Sequence, residues 1–335
     1  MNAAQFMKIH RSGLQSTIQD RGRFGHQREG VPVNGPMDER SHRLANALVG
    51  NSNDAATLEC TATGPSFEFS RDALIALCGA DMHVKADSRS VPMNSAVLVR
   101  RGVVIECHAR RSGARIYLAI DGGFATEPVL GSRSTNLRGQ FGGFHGRALK
   151  NLDRIPIRDF LSRTHASKLD GLRLQSGLSF VAAADVSPAA QATGVLMIRC
   201  ILGPQWMAFN EAARNSFLEA SYEVSPQSDR MGFRLSGPPL SLQGPLEMIS
   251  EVTTFGTIQV PPDGFPIILM ADRQTAGGYP KMAYVISADL PILAQTLPGA
   301  TLRFIAISQS LAEKIWLDSE HQMSNLERAA EKALR

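Results

Sequence analysis

Short apolar runs, separated by glycine and proline, recur along most of the chain. Runs of this length that are rich in β-branched residues and bounded by turn residues are typical of strands. The predicted strands are Ser66–Phe69, Ala73–Cys78, Ala96–Val99, Arg115–Ile120, Val195–Ile201, Gly232–Leu235, Thr257–Val260, Phe265–Met270, Ala283–Ile286 and Thr301–Ile307. The pattern predicts a mainly β protein whose sheets form barrels or sandwiches.

Helical patterns are few. Asp38 is placed to cap a helix that runs to Val49, and two further short helices are predicted at Phe209–Ala220 and Ala288–Thr296. Beyond Ser310, Leu and Ala recur at four-residue spacing among charged residues, which indicates an amphipathic tail helix.

The stretch from Asn151 to Ala192 is the least strand-like part of the chain, because it is polar and rich in alanine and serine. We therefore predict an N-terminal half with its linker at residues 1–193, a C-terminal half at 194–309 and a helical tail at 310–335.

Length and composition narrow the class of protein. The 335 residues suffice for two domains or one large double barrel, and 43% hydrophobic with 20% charged residues is ordinary globular usage. The 35 basic and 31 acidic residues are dispersed, which argues against nucleic-acid binding. There is no signal-like N-terminus and no apolar run of about 18 residues, so we expect no membrane segment and a cytoplasmic protein.

Several standard motifs are absent from the sequence. It has no phosphate-binding loop, no H-E-x-x-H zinc helix and no strand-linked G-x-G-x-x-G, so ATP binding by this chain alone is not expected. A biotin-carrier segment of the Ala-Met-Lys-Met kind is missing as well. The histidines lack ligand spacing, so no metal site is predicted. The four cysteines lie far apart without a Cys-x-x-Cys pair and are expected to be buried free thiols.

The richest candidate chemistry follows the apolar strand Pro266–Met270. Polar residues and a Gly-Gly pair come directly after it, and glycine amides can approach a ligand oxygen closely. Upstream, Arg230 follows Ser228 and Asp229, where a guanidinium can clamp a carboxylate through two parallel hydrogen bonds. The alternatives, in which these residues have only a structural role, are a tight Gly-Gly turn and an Asp–Arg pair that organises a turn.

Two glycine-rich segments of the first half also carry polar residues. Asp20 lies in the first of them, while Asp38 is better explained as the helix cap. Arg133 lies in Gly-Ser-Arg-Ser-Thr, ahead of a Gly-Gly-Phe-His-Gly run, where backbone amides and the guanidinium can form an anion site. Such loops also occur in β proteins without a function.

Seven strings, in order along the chain, resemble the family of allophanate hydrolase subunit 2, or biotin-dependent carboxyltransferase-like proteins. In the first half they are Gly-Leu-Gln-Ser-Thr-Ile-Gln-Asp from Gly13, Gly-Val-Pro-Val-Asn-Gly-Pro-Met-Asp from Gly30 and Pro-Val-Leu-Gly-Ser-Arg-Ser-Thr from Pro128. In the second half they are Ser-Pro-Gln-Ser-Asp-Arg-Met-Gly from Ser225, Ile-Gln-Val-Pro-Pro-Asp-Gly from Ile258, Ala-Asp-Arg-Gln-Thr-Ala-Gly-Gly-Tyr-Pro-Lys from Ala271 and Val-Ile-Ser-Ala-Asp-Leu-Pro from Val285. Three positions depart from the family pattern: Val252 replaces a glycine, Arg273 a histidine and Ala276 a threonine.

The resemblance implies two cyclophilin-like β-barrel halves with a cleft between them. It also implies membership, in the role of the C subunit, of an ATP-dependent 5-oxoprolinase complex. That complex opens 5-oxoproline to glutamate and includes two further proteins, the A subunit and a relative of the B subunit. One alternative within the family is a biotin-dependent carboxyltransferase component, with biotin carried by another chain. The other is a non-catalytic regulatory partner of a histidine-kinase inhibitor.

Under the first of these functions, carboxylates handle a proton and donors bind a charged substrate. The predicted catalytic residues are Glu251, Asp272 and Gln274, and the predicted substrate-binding residues are Asp20, Arg133, Ser228, Arg230, Gln259, Gly277, Gly278 and Tyr279.

Overall fold

A computed structural model describes residues 5–158, 179–183 and 194–334, with residues 179–183 described by their backbone only. The chain folds into two compact units. Unit 1 comprises Met1–Arg23, Asn34–Ala190 and Gln322–Arg335, and unit 2 comprises Phe24–Val33 and Gln191–His321. Most of the predicted linker lies outside the described residues, so the predicted domain boundaries stay a prediction.

Unit 1 is built on two six-stranded sheets. The first has the order β11-β1-β4-β9-β6-β7 and the second β12-β8-β5-β10-β3-β2. The strands are β1 Phe6–Arg11, β2 Gln15–Gln19, β3 Thr57–Thr61, β4 Ser66–Phe69, β5 Ala73–Asp81, β6 Lys85–Ala86, β7 Arg89–Ser90, β8 Ser95–Val99, β9 Ile105–Glu106, β10 Ser112–Ile120, β11 Arg154–Pro156 and β12 Ser179–Ala183.

Strand β5 illustrates why this sequence forms a doubly covered sheet. Successive side chains of a strand point to opposite faces, and both faces of β5 are apolar. Ile75 and Leu77 belong to the core shared by the two sheets. Leu74, Ala76 and Cys78 belong to a second cluster, which lies under the helices.

That second face of the sheet is covered by helix α1, Glu39–Leu48. The prediction that Asp38 caps this helix is confirmed, because its carboxylate accepts hydrogen bonds from the Ser41 backbone nitrogen at 3.0 Å and the Ser41 hydroxyl at 2.6 Å. The backbone N–H of Asp38 donates to the Tyr117 hydroxyl at 2.8 Å, which ties the cap to β10.

Helix α1 also carries His42, which is fully buried between Thr57 and the Asn53 carbonyl. Burial lowers the pKa of His42 to about 4. In the unfolded chain a histidine titrates near 6.5. Below that pH the unfolded chain therefore binds a proton that the folded chain lacks, so stability is complete above pH 6.5 and falls as the pH drops towards 4.

We predict that the free energy of unfolding decreases by about 2 kcal/mol between pH 7.5 and pH 5 through His42. Urea denaturation of wild type and His42→Asn at both pH values measures this contribution, since the variant lacks the titrating ring. His145→Asn, at an exposed histidine, is the matched control and keeps the wild-type dependence. An equal pH dependence in wild type and His42→Asn contradicts the assignment.

Unit 2 contains a closed barrel with the strand order β13-β20-β17-β18-β15-β14-β21 and a separate two-stranded ribbon, β16-β19. The strands are β13 Leu196–Leu202, β14 Tyr222–Val224, β15 Gly232–Ser236, β16 Glu251–Val252, β17 Thr257–Gln259, β18 Ile267–Leu269, β19 Ala276–Gly277, β20 Lys281–Val285 and β21 Thr301–Ala306. The helices are α2 Glu211–Glu219 and α3 Leu290–Ala294, and α4 Gln309–Leu334 begins in unit 2 and belongs to unit 1 from Gln322 onwards.

An aromatic cluster anchors α2 on the barrel. The rings of Phe217 and Phe304 stack at 4.6 Å, and Tyr222 lies 5.9 Å from Phe304. Further along the chain, the last part of α4 contributes Met323 and Leu334 to the helical cluster of unit 1.

The predicted secondary structure is confirmed for all ten strands and all four helices, with ends that differ by a few residues. Several strands were missed, among them β1 to β3. That both halves are cyclophilin-like barrels stays a prediction: a closed barrel is found in unit 2, and the described strands of unit 1 form two sheets. These two sheets share one apolar core, and no ladder joins their edges in the part of the chain that is described.

The prediction about the cysteines is confirmed. All four cysteines are buried and unpaired, as predicted. Over the described ranges, no helix is both long and apolar enough to cross a membrane.

Candidate functional site

The β16–β19 ribbon brings several predicted site residues of unit 2 together. Glu251 pairs with Gly277 across the ribbon. In the barrel, Gln259 at the end of β17 pairs with Lys281 at the start of β20. Contacts between these two pairs, described next, make them one polar cluster, which we call the ribbon site.

Lys281 is the most unusual residue of the ribbon site, because its side chain is only 3% exposed. Its ammonium forms an ion pair with the carboxylate of Glu251, which is 48% exposed. A lysine ammonium has three hydrogen-bond donors, and Glu251 accepts one of them. The remaining donors of a cation in such a low-dielectric position are suited to an oxygen that carries negative charge.

The start of β20 is held in place by the loop that follows β13. The backbone N–H of Lys281 donates to the Gln205 side-chain oxygen at 3.1 Å. A Cβ on Gly203 would lie 2.2 Å from the Lys281 carbonyl oxygen, so the backbones approach as closely as glycine allows. These contacts fix the direction in which the lysine side chain leaves the strand.

Gln259 lies directly beneath the ribbon and is 5% exposed. Its amide nitrogen donates to the Tyr279 carbonyl at 3.4 Å. A Cβ on Gly277 would come within 2.8 Å of that nitrogen, whereas a Cβ on Gly278 would meet only Ser250 Oγ, at an ordinary 3.6 Å. A side chain at Gly277 would therefore displace the Gln259 amide, whereas one at Gly278 would displace nothing.

Two residues border the ribbon site. Burial raises the pKa of Tyr284, and the negative charge of Glu251 raises it further. Gln274 has an exposed side chain and contributes its carbonyl oxygen, which accepts a hydrogen bond from the Thr253 hydroxyl. This contact fastens the loop after β18 to the strand before β17.

Asp272 and Arg230 form a separate pair. Asp272 comes shortly after the last residue of β18, whereas Gln259 pairs with Ile267, the first residue of that strand. The Arg230 guanidinium donates from Nε and Nη2 to the two Asp272 carboxylate oxygens, each at 3.0 Å, and the Asp272 backbone N–H donates to the Arg230 carbonyl at 2.8 Å. The partner of Arg230 is therefore a residue 42 positions away and not Asp229, whose carboxylate accepts the Met231 backbone N–H at 2.7 Å. Ser228 bonds in both directions with the backbone of Arg234.

In unit 1, Asp20 organises the Gly131–Thr135 loop. Its carboxylate accepts hydrogen bonds from Ser132 Oγ at 2.5 Å, Ser134 Oγ at 2.7 Å and the backbone N–H groups of Gly22 and Arg133 at 3.0 and 2.5 Å. All four donors lie either in the loop that carries Asp20 or in the Gly131–Thr135 loop. The side chain of Arg133 points its Nε to the Thr126 carbonyl at 2.8 Å.

Arg23, a residue not predicted from the sequence, completes this loop. It is fully buried and donates to the carbonyls of Val129, Ser132 and Ser134, while the Phe141 ring lies 4.7 Å away. Burial lowers the pKa of Arg23 and the charge of Asp20 opposes that shift. No local pattern indicates this role, because these partners lie more than 100 positions away.

The predicted site residues thus lie in three places. The ribbon site holds Glu251, Gln259, Gly277, Gly278 and Tyr279, and it includes Lys281, which the sequence reasoning missed. One signal was present: a lysine begins an otherwise apolar strand, Lys-Met-Ala-Tyr-Val. Among the residues that the structure describes, no cluster of three or more His, Cys, Asp or Glu side chains is arranged to hold a metal ion.

Residues 29–306 match a protein family described as carboxyltransferase domain, subdomain A and B. The chain is 35% identical to the C subunit of the Haemophilus influenzae 5-oxoprolinase, with 94% of this chain and 95% of that protein covered. It is also 35% identical to the C subunit of the Escherichia coli 5-oxoprolinase, with 96% and 97% covered.

A more distant likeness extends to longer proteins. The crystal structure of the K. lactis urea amidolyase superposes with a TM-score of 0.85 at 28% identity. It covers 97% of this chain, which spans only 20% of that protein. The Kluyveromyces lactis urea carboxylase gives the same TM-score, and the chain spans 30% of it.

Proposed function

The chain belongs to the carboxyltransferase-domain family, and from that premise we propose that it serves as the C subunit of an ATP-dependent 5-oxoprolinase, which opens 5-oxoproline to glutamate. The observation that carries the proposal is the 35% identity to two 5-oxoprolinase C subunits along nearly the whole of both chains. The ribbon site supports it with chemistry that suits a resistant amide.

Opening a lactam requires the loss of amide resonance and the stabilisation of negative charge on the former carbonyl oxygen. We assign that stabilisation to the Lys281 ammonium and to the backbone N–H of Gly278, since the Gly277 residue is paired with Glu251 in the ribbon. Gln259 offers an amide that can donate and accept, as the ring amide of 5-oxoproline requires.

Proton transfer falls to Glu251. Its carboxylate is half-exposed, so it can exchange protons with solvent. Because it is paired with Lys281, it also lies beside the proposed position of the reacting group. The γ-phosphoryl group of ATP passes to the lactam oxygen and ADP leaves. Water then adds to the former carbonyl carbon, the ring nitrogen takes up a proton as the C–N bond breaks, and phosphate departs when a second water hydrolyses the resulting acyl phosphate. Asp272, already paired with Arg230, is assigned to holding the loop that carries Gln274.

Partners and ATP enter the proposal through the family. The C subunit of a 5-oxoprolinase works with the A subunit and a relative of the B subunit, and we propose that ATP is a substrate of this assembly rather than a ligand of this chain alone. The proposed location is the cytoplasm, where both substrates and the reduced cysteines are expected.

A second candidate is a component of a biotin-dependent carboxyltransferase. It is favoured by the TM-score of 0.85 to the urea carboxylase. The Gln259 amide and the ribbon N–H groups would suit the amide-like acceptor of that reaction equally well, and biotin would come from another chain.

Reconstitution separates the two functions. The purified chain, combined with the A and B subunits, is expected to release ADP from ATP in a manner that depends on 5-oxoproline and is insensitive to avidin, which sequesters biotin. ADP release that needs bicarbonate and is abolished by avidin would favour carboxyl transfer instead.

Two neighbouring glycines test the ribbon site. Gly277→Ala should lower turnover of the assembled enzyme by at least about tenfold, because its Cβ displaces Gln259 and small displacements of positioning groups cost up to about 100-fold. Gly278→Ala, where the added Cβ meets only an ordinary contact, is the matched control. Equal turnover in the two variants would remove Gln259 and the ribbon from the proposed site.

A further inference from the structure

The guanidinium of Arg273 has few partners for a residue in its position. Nη1 donates one long hydrogen bond, 3.4 Å, to the Met270 carbonyl. Nε is buried and has no hydrogen-bond partner among the described residues. A guanidinium has five N–H donors, so most of the hydrogen-bonding capacity of Arg273 is unused within the described part of unit 2.

The acidic neighbour of Arg273 is already paired. Asp272 is bound through both carboxylate oxygens by Arg230. Burial lowers the pKa of Arg273 to about 10, and the charge of Asp272 opposes that shift. The guanidinium is charged at neutral pH and has lost much of its hydration, a state that an anion relieves.

The surroundings also restrict how an anion can approach. The Phe255 ring lies 5.8 Å from the Arg273 Cζ, so an aromatic surface faces the guanidinium. Acceptors therefore approach the in-plane N–H groups, the geometry in which arginine binds both oxygens of a carboxylate. The residue remains partly exposed, so a ligand from solvent can reach it.

We propose that Arg273 binds the carboxylate of a small ligand and so determines substrate specificity. Of the other predicted anion-binding residues, Arg230 holds Asp272 through both carboxylate oxygens, and Arg133 belongs to unit 1. Identification of that ligand as 5-oxoproline rests on the proposed function.

Equilibrium binding to the full chain, alone and with its partner subunits, tests the proposal without turnover. Isothermal titration would compare four ligands: 5-oxoproline, 2-pyrrolidone, acetate and inorganic phosphate. The ring of 2-pyrrolidone is that of 5-oxoproline without the carboxylate. Wild type should bind 5-oxoproline at least about tenfold more tightly than 2-pyrrolidone, as a charge-assisted hydrogen bond implies. Arg273→Gln should abolish that preference, and Arg273→Lys, which keeps the charge but not the fork, should retain part of it.

Arg303→Gln provides the matched control. Arg303 also belongs to unit 2 and donates one hydrogen bond to the Glu219 carbonyl. Like Arg273, it has a buried Nε without a partner in the described ranges. The Arg303→Gln substitution should leave the preference for 5-oxoproline over 2-pyrrolidone unchanged. Melting temperatures of all variants establish that each is folded.

The outcomes separate the anion site from the proposed function. If 5-oxoproline binds wild type and both Arg273 variants equally, the assignment of Arg273 is wrong while the proposed function stands. If wild type binds acetate in an Arg273-dependent way but not 5-oxoproline, the anion site stands and the proposed function fails. Binding of no carboxylate, or tighter binding of phosphate than of any carboxylate, overturns the assignment.

Discussion

Replacing Lys281 by Met is expected to lower the turnover of the assembled enzyme by at least about 100-fold. The reason is that one preorganised donor aimed at a developing oxyanion contributes about 100- to 1,000-fold to catalysis, and the buried ammonium of Lys281 is the strongest such donor of the ribbon site. ATP-dependent glutamate formation at saturating 5-oxoproline measures the effect.

The Lys281→Met chain should remain folded and assembled. Methionine fills a similar volume and removes the cost of burying the ammonium. The Glu251 carboxylate that loses its partner is half-exposed and keeps contact with water, so no buried charge is left behind. Lys314→Met, at an exposed lysine of α4, is the control. Undiminished turnover with Lys281→Met would leave this lysine a structural residue and remove the centre of the proposed site.

Replacing Asp20 by Ala is expected to lower the free energy of unfolding by at least about 3 kcal/mol. Four donors lose their acceptor in a buried loop, and each buried donor left unsatisfied costs about 1–3 kcal/mol. The fully buried Arg23 also loses the negative charge that offsets its burial. Urea denaturation at constant pH measures the change.

Asp54→Ala is the matched control, since this aspartate is 82% exposed and lies 3.8 Å from Arg21 in a surface ion pair. Such substitutions change stability by less than about 0.5 kcal/mol. A wild-type denaturation midpoint for Asp20→Ala would mean that the Gly131–Thr135 loop is held by other contacts, and direct substrate binding by Asp20 would become the better hypothesis.

Local signals were enough to predict much of the secondary structure. Asp38 as a cap, and Pro291 in the first turn of α3, are each recognisable within a few residues of sequence. Strand β2, Gln-Ser-Thr-Ile-Gln, was missed because it is mostly polar, and yet its residues from Ser16 to Gln19 are buried. The Gln19 amide donates to the Thr135 carbonyl, a partner 116 positions away that no local pattern reveals.

In the candidate site, too, local patterns predicted one part, and contacts between distant residues determine the rest. The ribbon strings are recognisable in the sequence, because glycines and polar residues cluster there, and Gln259 and Gly277 do lie in contact range. Local patterns did not predict that Arg230 and Asp272 would form an ion pair, since the two are 42 positions apart. The burial of Lys281 depends on Gln205 and Glu251, which approach it only in the folded barrel.

If this chain is a required subunit of a 5-oxoprolinase, its omission from a reconstituted reaction must stop the reaction. The A and B subunits are incubated with ATP and 5-oxoproline, with and without the chain, and glutamate is measured. We predict glutamate formation only in the complete mixture, and its loss when Lys281→Met replaces wild type. Equal glutamate formation without the chain, or none with it, would contradict the proposed function.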